Sequence, residues 1–238
     1  MGKPIIPQRR GKGSSTYRSP SHRHKGVPGY PRNFKGPGTV VDIFHAPGRS
    51  TPMAKVQFGD QFALLLVPEG MRVNQTINIG NGLPIEMGNI LPLQEIPEGT
   101  LVCSLELKPG DGGKLAKSSG AYATVVGHTP QGTMIRLPSR RTRYINDYCM
   151  ATIGVVAGSG RTEKPFLKAG EVFHWMKAKG HKYPRVSGRK MVAACHPYGS
   201  SKRSARKCTT TSHGAPPGQK VGLIAARGPG QKKKRAIR

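Results

Sequence analysis

Cys195, His196, Cys208 and His213 carry the side chains of this chain best suited to holding a metal. Two thiolates and two imidazoles suit tetrahedral zinc. Their spacing, C-H-x11-C-x4-H, departs from that of a zinc finger, because the adjacent Cys195 and His196 close on one ion only through a kinked backbone. The expectation is therefore no resident metal, with structural zinc on these four residues as the alternative. His196-Pro197-Tyr198-Gly199 also suggests proton chemistry, since histidine titrates near neutrality. No carboxylate is at hand to orient that ring, because residues 172–238 contain no Asp or Glu. An enzyme built on His196 is rejected on that ground, and no catalytic residue is assigned.

A second set of residues suits phosphate rather than metal. Arg136, Arg140, Arg141 and Arg143, just before Tyr144, form a dense basic strip. Guanidinium forks grip phosphates and stack on bases. Gly154, Gly158 and Gly160 lead into Arg161 and Lys164 without the order of Gly, Lys and Ser/Thr that a nucleotide phosphate loop needs. Close approach of backbone to RNA phosphates is the use expected of these glycines. Tyr17, Tyr30 and Phe34 stand among cations and are expected to stack on bases. His22, His24, His174 and His181 lie in basic stretches and are expected to hydrogen-bond or stack on RNA.

The distribution of charge says what must position these groups. The chain has 238 residues, 39 Lys or Arg and 11 Asp or Glu, for a formal charge of +28. All 11 acids lie between Asp42 and Glu171, where 13 basic residues nearly balance them. Residues 1–41 carry nine Lys or Arg and residues 172–238 carry 17, both without an acid. A near-neutral centre between two cationic ends reads as a folded module with two polyanion-binding extensions. Hydrophobic residues make up 35%, with 32 Gly and 21 Pro, so the chain buries only a modest core. No apolar run approaches the roughly 18 residues of a membrane span, and no hydrophobic leader precedes Arg9 and Arg10. The expectation is an intracellular protein without a membrane partner. Cys103 and Cys149 sit in apolar surroundings and read as small buried hydrophobes, not a disulfide.

Four segments follow. Residues 1–36 form a basic N-terminal extension without helical or strand period, disordered when free and ordered on RNA. Residues 37–92 hold five short strands, at 39–44, 53–58, 61–67, 76–79 and 85–86, which suit an oligonucleotide-binding barrel. A rigid connection through Leu91-Pro92-Leu93 and Ile96-Pro97-Glu98-Gly99 leads into residues 93–179. Strands at 100–106, 121–127, 133–137 and 151–157 then suggest an SH3-like barrel, with a short helix at 171–179. Residues 180–238 form a basic Gly/Pro-rich C-terminal extension with no apolar periodicity. The fold class is all-β.

The residues themselves resemble a known family over nearly the whole length. The resemblance is carried by Gln8-Arg9-Arg10-Gly11-Lys12-Gly13, Tyr17-Arg18-Ser19-Pro20-Ser21-His22-Arg23, Pro47-Gly48-Arg49-Ser50 and Pro68-Glu69-Gly70. It continues through Gly88-Asn89-Ile90-Leu91-Pro92-Leu93, Ile96-Pro97-Glu98-Gly99-Thr100 and Lys108-Pro109-Gly110-Asp111-Gly112-Gly113-Lys114. Most specific are Ala151-Thr152-Ile153-Gly154-Val155-Val156-Ala157-Gly158 and Ala215-Pro216-Pro217-Gly218-Gln219-Lys220-Val221-Gly222-Leu223-Ile224-Ala225-Ala226-Arg227. The chain resembles the universal large-subunit ribosomal protein two, in its archaeal or eukaryotic-like form.

That resemblance implies a structural constituent of the large ribosomal subunit, in the cytoplasm. It implies binding to large-subunit ribosomal RNA, support of the peptidyl-transferase region and help in subunit association. Neighbouring ribosomal proteins and the small subunit are the other implied partners, and Mg2+ would accompany the RNA. His196-Pro197 matches the family's histidine loop. Where the family has Asn and Asp upstream, this chain has Ala193-Ala194-Cys195, and Tyr198-Gly199-Ser200-Ser201 replaces its second His and glycine run. RNA anchoring is accordingly the reading for His196. The expected RNA-binding residues are Arg9, Arg10, Lys12, Arg18, His22, Arg23, His24 and Lys25 in the first extension. Arg49, Lys114, Arg140, Arg141, Arg143, Arg161 and Lys164 serve in the core. Arg189, Lys190, His196, Lys202, Arg203, Arg206, Lys207, Lys220, Arg227, Lys232, Lys233, Lys234 and Arg235 serve in the last extension. A general nucleic-acid packaging or RNA chaperone protein is the alternative; it would share the charge but have no need of glycine- and proline-fixed core loops.

Overall fold

The computed structural model describes residues 2–31, 34–199 and 210–226. They belong to two compact units, Pro20–Lys179 and the pair Met1–Ser19 with Gly180–Arg238. In the first unit lie β1 (Gly36–Phe44), β2 (Met53–Phe58), β3 (Gln61–Leu66), β4 (Thr76–Ile79) and β5 (Ile90–Pro92). They are followed by β6 (Leu101–Cys103), β7 (Ala123–Thr129), β8 (Gly132–Arg136), β9 (Thr142–Ile145) and β10 (Met150–Ile153). These strands make one continuous sheet in the order β3-β2-β1-β4-β5-β10-β6-β7-β8-β9. The result is the all-β class expected, an oligonucleotide-binding barrel followed by an SH3-like one.

β1 serves two partners because it is long. Its first half pairs with β4 and its second with β2, both antiparallel, and a bulge between Val40 and Asp42 bends it between the two. Val40, Val56, Phe58, Ile77 and Ile79 fill the first core. Burying each such side chain contributes roughly 1.5–3 kcal/mol. Gly38 has no side chain because the Phe58 ring lies against its Cα, where a methyl group would collide with it. In the second core β7, β8 and β9 form a meander, and Val102, Leu105, Val125, Ile135 and Ile145 pack inside it.

The seam between the cores is β5 against β10. Ile90 packs into the first core and its neighbour Leu91 into the second, as alternation along a strand requires. This corrects two expectations. Residues 85–86 form no strand, and Leu91-Pro92 is strand rather than connector. Ile85 is exposed, whereas the buried triplet Ile90-Leu91-Pro92 satisfies both cores at once. Asn89 holds the approach to it, accepting from the Asn78 backbone N–H (2.9 Å) and donating to the Pro84 carbonyl (3.0 Å).

Other boundaries move for local reasons. β6 stops at Cys103 because Ser104 takes a positive φ of 49°, and β10 stops at Ile153 because Gly154 sits at φ 115°. The basic strip spans two strands and their connection: Arg136 ends β8, Arg140 and Arg141 lie between, and Arg143 and Tyr144 lie in β9, at one end of the sheet. The expected helix is α2, Ala169–Ala178.

The second unit has more local structure than its composition suggested. Ile6–Gly11 is a short helix, α1, whose start is held by the Ile5 N–H donating to Gln8 Oε1 (2.9 Å). Thr210–Thr211 (β11) pairs in parallel with Leu223–Ile224 (β12). Tyr198, Thr211 and Val221 are buried beside them. The Tyr198 and Thr211 hydroxyls lie 2.6 Å apart, and each reaches the Val221 carbonyl at 2.9 Å. The Lys3 N–H donates to the Ala194 carbonyl (2.7 Å), so the two chain ends meet within this unit.

Candidate nucleic-acid interface

Arg49, Lys114 and Lys117 form the first basic cluster of the barrel unit. Arg49 Nη2 reaches the Gly26 carbonyl at 3.4 Å. Lys117 Nζ donates to the Pro28 carbonyl (3.0 Å) and the Gly113 carbonyl (2.8 Å). Burial, then the positive charges of Arg49 and Lys114, hold the Lys117 ammonium below its ordinary pKa, and Asp111 offsets part of that. Repelling cations fixed in this way are stabilised by an incoming phosphate. The loop beneath them is fastened by acids rather than left free. Glu106, almost fully buried, accepts from the N–H groups of Gly110 (3.2 Å), Gly112 (2.8 Å) and Met150 (2.9 Å).

Two aromatic residues expected to meet bases do other work. The Tyr30 hydroxyl donates to the Ser104 carbonyl (2.6 Å) and lies 2.8 Å from Thr152 Oγ1. Burial pushes that hydroxyl well above its ordinary pKa. Phe34 packs on Phe58 with ring centroids 5.1 Å apart. Tyr30 and Phe34 are therefore packed against the first core of the barrel unit rather than held out to meet bases.

A second basic site flanks β7 and β8. A cavity of about 550 Å³ is lined by Tyr122, Thr124, Arg136 and Arg140 among others. Tyr122 is exposed, and Arg140 is held at φ 63° by a turn in which its N–H donates to the Leu137 carbonyl (2.8 Å). A third site centres on Trp175 in α2. Lys179 Nζ lies 4.0 Å from its ring centroid and the Arg161 guanidinium 5.8 Å away. Arg161 Nε donates to Ser119 Oγ (3.1 Å). Burial, then Arg161, lower the Lys179 pKa.

The other expected site residues of the barrel unit are placed but not gathered. His22 and Arg23 lie in one helical turn, Ser21–Arg23, and His24, Lys25, Arg141, Arg143 and Lys164 are exposed. In the second unit Arg9 and Arg10 lie on α1, Lys12 caps it, and Arg18 ends the turn Ser15–Tyr17. Arg189 and Lys190 share the turn Gly188–Lys190, and Lys220 is exposed. Lys202, Arg203, Arg206, Lys207, Cys208, Arg227, Lys232, Lys233, Lys234 and Arg235 lie outside the described residues. Lys117, Tyr122, Trp175 and Lys179 were missed. Lone cations and aromatics in a basic chain carry no spacing signal; only the folded loops bring them beside the expected ones.

His196 is half-buried, its ring on Gly188, where a methyl group would collide with it. The Tyr198 N–H donates to His196 Nδ1 (3.0 Å), which assigns the proton of the neutral ring to Nε2. Among the described residues no three His, Cys, Asp or Glu side chains gather as metal ligands, and Cys208 falls outside those residues.

Comparison with known proteins fits this geometry. Residues 86–217 match the family model described as Ribosomal Proteins L2, C-terminal domain. The large ribosomal subunit protein uL2 of Methanococcus maripaludis strain C5 is 48% identical over 98% of this chain and 100% of its own length. The chain belongs to the ribosomal protein L2 family. The L2 relatives of the same name from Methanococcus aeolicus, 48% identical, and Methanococcoides burtonii, 47% identical, also align with 98% of this chain and with their own full length. The chain is thus of the archaeal L2 type throughout, both barrels and both ends included.

Proposed function

We propose that this chain is a structural, non-enzymatic constituent of the large ribosomal subunit in the cytoplasm, where it holds large-subunit ribosomal RNA. The observation that carries this reading is the basic cluster in which Arg49 comes close to Lys114 and Lys117, the two lysines borne on a loop that buried Glu106 fastens at Gly110 and Gly112. Such a fixed cluster, only partly offset by Asp111, suits phosphates of folded RNA, with Arg136 and Arg140 beside Tyr122, and Arg161 with Lys179 beside Trp175, as further grips.

The barrels, read as residues 37–92 and 93–179, position the protein, and the basic ends add phosphate contacts. The expected RNA-contacting cations act as a set, each releasing counterions. Support of the peptidyl-transferase region and a contact with the small subunit are the finer parts of this reading; His196, with Nε2 carrying its proton, is the group that would reach RNA there. Neighbouring ribosomal proteins complete the partners. Mg2+ belongs to the RNA in this reading, which assigns the protein no metal of its own; zinc on Cys195, His196, Cys208 and His213 is the alternative.

The test is co-sedimentation with intact large subunits, together with the salt dependence of binding to large-subunit RNA. Presence of the chain only as free protein, or a log–log slope worth fewer than about two phosphates, would sink the reading. Equal affinity for ribosomal RNA and random duplex would favour general packaging instead.

A further inference from the structure

The unit made of the two chain ends contains a cavity of about 320 Å³, within the roughly 300–1,000 Å³ of small-ligand sites. Its lining is mainly apolar: Ile6 from α1, Tyr17, and Val186, Met191 and Val192 from the C-terminal stretch. Val186 and Val192 are exposed, at 54% and 66%, so this apolar lining is open to solvent. Arg9, Arg10 and Arg185 also line it, and neither end of the chain that builds it contains an acid. Arg9 Nε donates to the Pro4 carbonyl (3.0 Å), which orients its guanidinium fork.

An apolar slot with an aromatic wall, ringed by arginines, combines what an unpaired nucleotide offers. The base has a flat apolar face to bury, and the phosphates on either side are anions. A buried acidic peptide side chain would waste the apolar walls, and a neutral apolar ligand would leave the arginines without a role. We propose that this cavity receives a single unstacked base of the bound RNA, with Tyr17 as stacking wall and Arg9, Arg10 and Arg185 on the flanking phosphates. The proposal rests on the RNA-binding reading above. It makes the two chain ends joint owners of one specific site rather than separate non-specific anchors.

The experiment uses the full chain bound to its large-subunit ribosomal RNA, cross-linked by ultraviolet light and digested. A single nucleotide attached to the peptide carrying Tyr17 or Met191 is expected. Val192→Trp, at an exposed position, fills the cavity mouth. It should abolish that cross-link and weaken binding roughly 10-fold, the worth of one stacked base, while leaving the salt slope unchanged. A short RNA carrying the cross-linked nucleotide as an abasic site should show the same loss on the unsubstituted chain and no further loss on V192W. Arg185→Gln should instead flatten the slope. Cross-links confined to other peptides, or V192W binding as tightly as the unsubstituted chain, would overturn the cavity assignment while RNA binding stood. Absence of all RNA binding would overturn both.

Discussion

The Tyr30 hydroxyl donates to the carbonyl of Ser104, 74 residues later in the chain, at 2.6 Å. A residue from the basic N-terminal stretch thereby closes on a point where β6 ends, and Thr152 of β10 shares the same hydroxyl. Tyr30→Phe keeps the ring and removes that link. Stability should fall by about 1–3 kcal/mol in urea unfolding, the usual cost of leaving buried polar groups without a partner. The salt slope of RNA binding should not change, because no cation is lost.

Arg140 sits at φ 63°, a conformation that costs a residue with a side chain about 1 kcal/mol more than glycine. Arg140→Gly should therefore stabilise the free protein by about that amount while weakening RNA binding and lowering its salt slope by about 1. A variant that binds RNA with unchanged slope would remove Arg140 from the interface. Thermal unfolding and a salt titration on one preparation check both halves.

Lys117 gives a pH signature. Its folded pKa lies below its unfolded one, so between the two the unfolded chain binds more protons and stability rises with pH. In the RNA-free protein this rise should appear on the alkaline side, ending near the ordinary lysine pKa. Lys117→Met should remove that rise. The same substitution should also lower the salt slope of RNA binding by about 1, measured by filter binding at neutral pH.

The cysteines should separate by reactivity. Burial pushes the Cys103 thiol up to about 12 and Cys149 up to about 11, so neither offers thiolate at neutral pH. Cys195 is half-exposed. A thiol reagent on the native protein should label Cys195 and leave Cys103 and Cys149 untouched until denaturant is added, as read by peptide mass.

Strands with alternating or continuous apolar runs between glycine turns, such as β2, β3, β7 and β8, were legible because their period is local. β5 was not, because three buried residues ending in proline read as a connector. Only the two cores meeting at Ile90 and Leu91 make them a strand. β9 was hidden by its own chemistry: arginines at 141 and 143 announced a phosphate grip and masked a paired strand. Within the candidate interface the arginines were proposed from charge alone. Tyr30 and Phe34 misled, since aromatic residues among cations look alike whether they face a base or a core. Lys117 was missed because its distinction is the company of Arg49 and Lys114, which folding supplies. Structure in the chain ends was also hidden, since the Tyr198–Thr211–Val221 knot joins residues 10 to 23 positions apart.

The seam of β5 on β10 bears on how the protein is made. A ribosome releases residues in order, so Ile90-Leu91-Pro92 emerges well before Met150–Ile153. Until the later strand arrives, one side of Leu91 and the free edge of β5 stay in contact with water or with a chaperone. Truncation anywhere before Met150 should therefore leave a product whose β5 edge is open and prone to aggregate. Quality control of this chain is in that sense built into its translation order: no copy that stops short of β10 can close its seam.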